Sequence, residues 1–293
     1  MSQGGRMNIF EKYPSSTFLN GLPVDSDFFR QREQIVDLFS FLDGLEDRNF
    51  LKLLDQDPHA ALWEMMVAKT LKSEGYEPTR MSDGGPDFVV EKDGKRIFIE
   101  AICPGRGDEG NPNTVQPTIH GSGIAQDIPT EQIVLRIRGA LKIKKEKYED
   151  YVKSGKVSES DICIIAICSS KIDRAVGVCP TPIMRATHGL GNPYVLFARD
   201  EGFVGEGIES CESIPKANGE EVDTTFFLSM DNSLISAVLY SDWSFSSLRS
   251  HLPEESLVHN PRARVPLPLG FVKRIKDIGQ YVPMTMHNGG RTK

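Results

Sequence analysis

Apolar residues recur at helical spacing between positions 26 and 55. They run through Phe28, Phe29, Ile35, Leu38, Phe39, Phe41 and Leu42, and resume at Leu51, Leu53 and Leu54. This predicts one or two helices, broken near Asp43-Gly44. A further helix is predicted over 58–74, with Pro58 in its first turn and Gly75 as its stop. The period then shortens. Two β-rich runs, 86–91 and 96–103, flank Lys92-Asp93-Gly94-Lys95, and Asp-Gly between such runs is a strong hairpin signal. Residues 104–128 are rich in Gly, Pro and Asn and read as a long loop. A helix is expected over 130–154, and the continuous apolar run at 161–168 reads as a fully buried strand. Shorter strands are expected at 194–198, 225–229 and 234–240, then a proline-rich end with a short helix near 271–278. The class is α/β: a mixed central sheet flanked by helices, with N-terminal helices and an irregular C-terminal extension. Residues 1–55 are expected as a helical segment packed on a core at 56–170. Residues 171–293 supply further strands and an extension of the same domain.

The hairpin carries chemistry. A two-residue loop at Asp93-Gly94 pairs Lys92 with Lys95, Val90 with Ile97 and Phe88 with Ile99. The same register sets Asp87 opposite Glu100 on one face, with Cβ atoms about 4.5–5.5 Å apart. Two carboxylates at that distance repel each other, and a divalent cation between them would turn the repulsion into a binding site. On the preceding helix Glu64 shares a face with Ala60, Ala61, Val67, Ala68 and Leu71, so it points inward and is a candidate third acid. On the 130–154 helix the inward stripe is Ile133, Val134, Ile137, Leu141, Lys144, Tyr148 and Val152. Lys144 stands there in an apolar place and needs an anionic partner. Lys142, Lys145 and Lys147 lie off that stripe.

The succession of Glu64, Pro86-Asp87 and Glu100-Ala101-Ile102 resembles the PD-(D/E)XK phosphodiesterase superfamily, the restriction-endonuclease-like nucleases, over about residues 58–170. In that family a helix glutamate precedes a hairpin that holds the two acids, and a helix and strand follow. The family's lysine stands two residues beyond the second acid, where this chain has Ile102. In some members the lysine has moved to a neighbouring helix. Lys144 is the choice for it here, with Lys145 as fallback and Arg136 a weaker candidate for phosphate contact. The resemblance implies a restriction-endonuclease-like core and a metal-dependent nuclease, most readily a DNA endonuclease. Asp87, Glu100 and the Ala101 carbonyl would hold Mg²⁺ or Mn²⁺, with Glu64 assisting. Nucleic acid would be the partner, and two copies pairing as a homodimer is compatible with cutting both strands. The alternative is a catalytically inactive nuclease-fold protein that binds nucleic acid or another protein. A glycosidase using Asp87 and Glu100 is a distant third, since little else in the chain suggests a sugar cleft.

Composition narrows the class. The chain has 293 residues, 39% apolar and 26% charged, which excludes a disordered or collagen-like chain and suffices for a sizeable core. No run of 18 apolar residues occurs, so no membrane partner is expected, and the first sixteen residues carry no secretory pattern. The five cysteines, Cys103, Cys163, Cys168, Cys179 and Cys211, contain no CxxC pair, which argues against a disulfide framework or structural zinc and for a reducing cytoplasm. Cys163 and Cys168 read as core. Net charge is -7, yet seven basic residues (Arg262, Arg264, Lys273, Arg274, Lys276, Arg291 and Lys293) crowd the last 34 positions, a local phosphate footprint or a solvated tail. The histidines show no ligand spacing; His59 and His120 lie nearest the acids in sequence. There is no phosphate-loop, dinucleotide or nucleophile-elbow motif.

Overall fold

Asp93 and Gly94 both adopt positive φ, 52° and 74°, the conformations a two-residue I′ hairpin requires, and the chain reverses there. Strands β1 (Phe88–Lys92) and β2 (Lys95–Ile102) pair in the expected register, Phe88 with Ile99 and Lys92 with Lys95. The computed structural model describes residues 8–24, 26–81, 84–119, 121, 125–175, 177–200, 202–243, 255–273 and 276–278. His120, and Arg274, Arg291 and Lys293 of the basic end, lie outside them, as does the side chain of Lys276.

Among the described residues four helices precede the helix that packs on the hairpin. They are α1 (Ile9–Lys12), α2 (Thr17–Gly21), α3 (Ser26–Leu42) and α4 (Phe50–Gln56), followed by α5 (Pro58–Ser73). Asp57 caps α5 by accepting from the Ala60 N–H, and Pro58 opens the helix. After the loop come α6 (Thr130–Lys153) and β3 (Ile162–Cys168), which is buried at every position. β3 lies parallel to β2, with Glu100 beside Ile165. The chain continues through α7 (Pro182–His188), β4 (Leu190–Ala198), β5 (Gly202–Ser210), β6 (Ser213–Pro215), β7 (Glu221–Asp223), β8 (Ala237–Ser241), β9 (Glu255–His259) and β10 (Lys276–Ile278). Among the described residues the central sheet is mixed and six-stranded, in the order β1-β2-β3-β8-β9-β10. The protein is thus a mixed α/β structure with helices on both faces of its sheet.

The two faces carry separate cores. α5 packs with Ile97, Ile99, Ile164 and Ala166, and Trp63 Nε1 donates to the Ala166 carbonyl at 3.0 Å. α6 packs on the other face with Phe98, Cys163, Ile165 and Ile167, where the Tyr148 hydroxyl lies within 3 Å of the Phe98 and Ile164 carbonyls. Cys163 and Cys168 are buried, and all five cysteines are free. Among the described residues no helix is long and apolar enough to cross a membrane.

Three expectations fail at the C-terminal end. Residues 225–229 are a turn: Phe226 and Phe227 are buried, but Leu228 N–H closes back on the Thr225 carbonyl. No helix forms at 276–278, where β10 pairs parallel with β9. The extension is therefore less irregular than its prolines suggest, because β8, β9 and β10 complete the central sheet.

Candidate active site

Glu100 is fully buried on the α6 side of β2. A carboxylate there is tolerable only if its oxygens are satisfied. Lys144 Nζ lies 2.5 Å and Lys147 Nζ 2.9 Å from Oε2, while the Tyr151 hydroxyl donates to Oε1 at 2.8 Å. Lys144 is itself buried, as its place on the apolar stripe implied. Lys147 and Tyr151 were not singled out by the stripe. They follow Lys144 by three and seven residues, which puts all three on neighbouring lines of one helix face. Burial opposes the charge on Lys147, but Glu100, with Tyr151 and Asp87, outweighs it and holds the ammonium above its ordinary value. Burial and the Glu100 charge raise the Tyr151 phenol as well.

Asp87 precedes β1 by one residue. Gly85 lets the chain approach closely there, since a Cβ on it would sit 2.6 Å from Met81 Sδ. Asp87 Oδ2 accepts from the Ala101 N–H at 2.7 Å, which ties it to the end of β2 beside Glu100. Burial, and next the Glu100 charge, hold the Asp87 carboxyl above its ordinary range. The two acids thus lie close enough to feel one another.

Glu64 reaches the same place from α5, through a residue that the sequence reading did not select. Thr79 makes an antiparallel bridge to Val89, so Arg80 follows directly beside the edge of the sheet. The Arg80 guanidinium lies 4.9 Å over the Phe88 ring, donates to Glu64 Oε2, and stands 4.0 Å from Asp87 Oδ1. Burial and the Asp87 charge outweigh Arg80 and push the Glu64 carboxyl up to about 7. Glu64, Arg80, Asp87 and Lys147 line a cleft of about 840 Å³, together with Arg48 and Asn49 from the turn before α4. Glu100 is not part of its wall.

The remaining candidates fall elsewhere. Lys145 pairs with Glu149 at 3.0 Å along α6. Arg136 donates to the Gly105 carbonyl at 2.7 Å. His59 stands near Asp57 and Lys171 at the start of α5.

Charge is shared unevenly among the three acids. Arg80 faces both Glu64 and Asp87, whereas Glu100 takes both Lys144 and Lys147. Among the described residues no group of three His, Cys, Asp or Glu side chains converges as metal ligands do. The donor type nonetheless suits a hard cation, since Asp87 and Glu64 present carboxylate oxygens to the cleft and both are under-compensated, their carboxyls held up by burial and repulsion.

The Glu64 shift has a consequence for stability. The folded chain keeps this proton to about pH 7, whereas the unfolded chain releases it near 4.5. Between those values the folded state binds more protons, so stability falls as pH rises. Glu64→Gln is therefore expected to stabilise the fold at pH 8 by about 2–3 kcal/mol, and by almost nothing at pH 4. Urea unfolding at both pH values checks this; equal effects at the two would refute it.

No family model matches the chain, and neither a curated protein nor a solved structure does. The site rests on its own geometry.

Proposed function

We propose that the chain is a metal-dependent phosphodiesterase with a restriction-endonuclease-like core, acting on nucleic acid and most readily on DNA. The observation that carries this is Lys144 on Glu100 beside Asp87. A helix lysine reaches the strand acid whose own strand offers only Ile102 two residues on. The order helix, hairpin, helix, parallel strand supports the same reading.

Glu64 and Asp87 would hold Mg²⁺ or Mn²⁺ at the cleft wall, with Glu100 and the Ala101 carbonyl behind them. When bound, the ion would supply Lewis acidity and a water of lowered pKa. The chain's own groups do the rest. Lys147, on the cleft wall, draws a phosphate toward Asp87. Lys144, held on Glu100 behind the wall, would add positive potential toward the negative charge that grows on the phosphate oxygens as water adds and the P–O ester bond breaks. Arg80, which lines the same cleft, would neutralise a neighbouring phosphate.

The pairing of Glu100 with both lysines, and its burial, favour a second reading: a nuclease-fold protein that binds nucleic acid or another protein without cutting. Mn²⁺ decides between them. For the nuclease, Mn²⁺ at about 100 times its Kd adds about 2.7 kcal/mol to stability. That is a rise in Tm of several degrees, and supercoiled plasmid is nicked only when the metal is present. Neither a shift nor nicking with Mg²⁺, Mn²⁺ or Co²⁺ would leave the second reading standing.

A further inference from the structure

The hairpin of β4 and β5 is a two-stranded sheet of its own, and its strands pair with no third strand among the described residues. Two strands alone are marginal in water, and a third strand or a packed face is the usual remedy. This hairpin has little of either. Phe197 is 73% and Phe203 60% exposed, their rings edge to face at 6.1 Å, and Val195, Leu196, Val204 and Ile208 are about half exposed. These side chains stand on the faces of the hairpin, so what it lacks at its edges is a further strand.

Charge selects the occupant. Asp200, Glu206, Glu209 and Glu212 lie on or beside the hairpin, with Arg199 the one basic residue in that stretch. That repels nucleic acid and anionic membrane alike. The two free edges also differ. The β5 edge carries Glu206 and Glu209, which a second β5 would oppose with the same charges. The β4 edge, Leu190–Ala198, has no charged residue at all. Like charges set directly opposite destabilise a strand pair, and an uncharged edge meets its own copy without that penalty. We propose that the β4 edge joins two copies of this chain about a two-fold axis, as a four-stranded sheet β5–β4–β4–β5. Pro193 has no N–H to give, so the shared ladder runs over 194–198. A two-fold interface is self-complementary, which an uncharged strand satisfies against itself.

Sedimentation of the full chain tests this. The protein is expected to be a dimer at about 10 µM and to dissociate on dilution. Leu196→Glu, which sets like charges across the axis, should weaken the dimer at least about 100-fold, whereas Glu206→Lys on the other edge should leave it intact. Should Leu196→Glu fail to fold, hydrogen exchange of the unaltered protein serves instead. Amides at 194–198 should be protected at high concentration and lose protection on dilution. A chain that stays monomeric at about 100 µM overturns the proposal. So does a dimer that Glu206→Lys breaks and Leu196→Glu does not, amide protection at 194–198 that ignores concentration, or a monomer that floats with phosphatidylcholine vesicles.

Discussion

The substitution Asp87→Asn is expected to leave a chain that folds at least as well as the parent yet cleaves a phosphodiester on the order of 10²–10³ times more slowly with Mn²⁺. The two halves of this expectation have separate causes. The side-chain oxygen of the amide can still accept from the Ala101 N–H, the bond that fixes Asp87 at 2.7 Å in the parent, so the start of β1 keeps its place. What disappears is a negative charge. In the folded chain that charge is unfavourable, because burial and Glu100 hold the Asp87 carboxyl above its ordinary 3.8. A raised carboxyl pKa means that stability falls as pH climbs from the unfolded value through the folded one, so the substitution helps at neutral pH and does nothing in acid. At the cleft the same charge is what a cation would seek, and a neutral amide is a far poorer partner for it. Thermal melts with and without Mn²⁺, beside a plasmid assay, read both halves. A variant that keeps the cleavage rate and the Mn²⁺ shift of the parent would remove Asp87, and the proposed chemistry with it. One that has lost cleavage but melts well below the parent would show that the loss was structural.

How far the sequence anticipates this site depends on how local each signal is. The hairpin is written in two adjacent residues, since Asp93 and Gly94 accept the positive φ that the reversal needs. Once the loop is two residues long, the strand pairing, and with it the closeness of Asp87 to the end of β2, follows by counting. α6 and β3 are legible because their apolar patterns are long, and Lys144 is visible because it interrupts one of them. Lys147 escapes the same reasoning. A stripe drawn from Cα directions ignores the reach of a lysine stem, which brings Nζ to Glu100 from one line over. Arg80 has no pattern to belong to. It follows an isolated bridge at the sheet edge, and only the fold brings it between Glu64 and Asp87. β8 falls within the strand expected at 234–240, but β9 and β10 are short and lie among prolines, so composition at 255–278 says little about them. The buried pair Phe226 and Phe227 misleads in the other direction, because apolar residues under α6 look like a strand whether or not they pair.

Glutamine at position 100 is expected to destabilise the fold by about 3 kcal/mol at neutral pH, the scale on which a buried ion pair is broken by removing one partner. Glu100 is fully buried and receives Lys144, Lys147 and Tyr151. An amide of the same size can keep one or two of those contacts, but it leaves a buried ammonium at Lys144 without an anion. Relief of the repulsion felt by Asp87 offsets part of the cost. The cations outnumber it, so the sign stays unfavourable. Lys147 supplies the pH test. Its folded pKa lies above 10.5 in the parent, so the stabilisation it draws from Glu100 is fully present below 10.5 and fades as pH rises through the folded value. The penalty of Glu100→Gln should therefore be flat from pH 6 to 9 and shrink in stronger alkali. Adding Lys144→Met to Glu100→Gln takes out the stranded charge and refills its apolar place on α6, and it should restore most of the lost stability. Urea unfolding at unchanged m-value measures each step. A single-substitution cost below about 0.5 kcal/mol would mean that water already screens these charges, and a double variant no better than the single would mean that the loss comes from packing around β2 and not from the unpaired lysine.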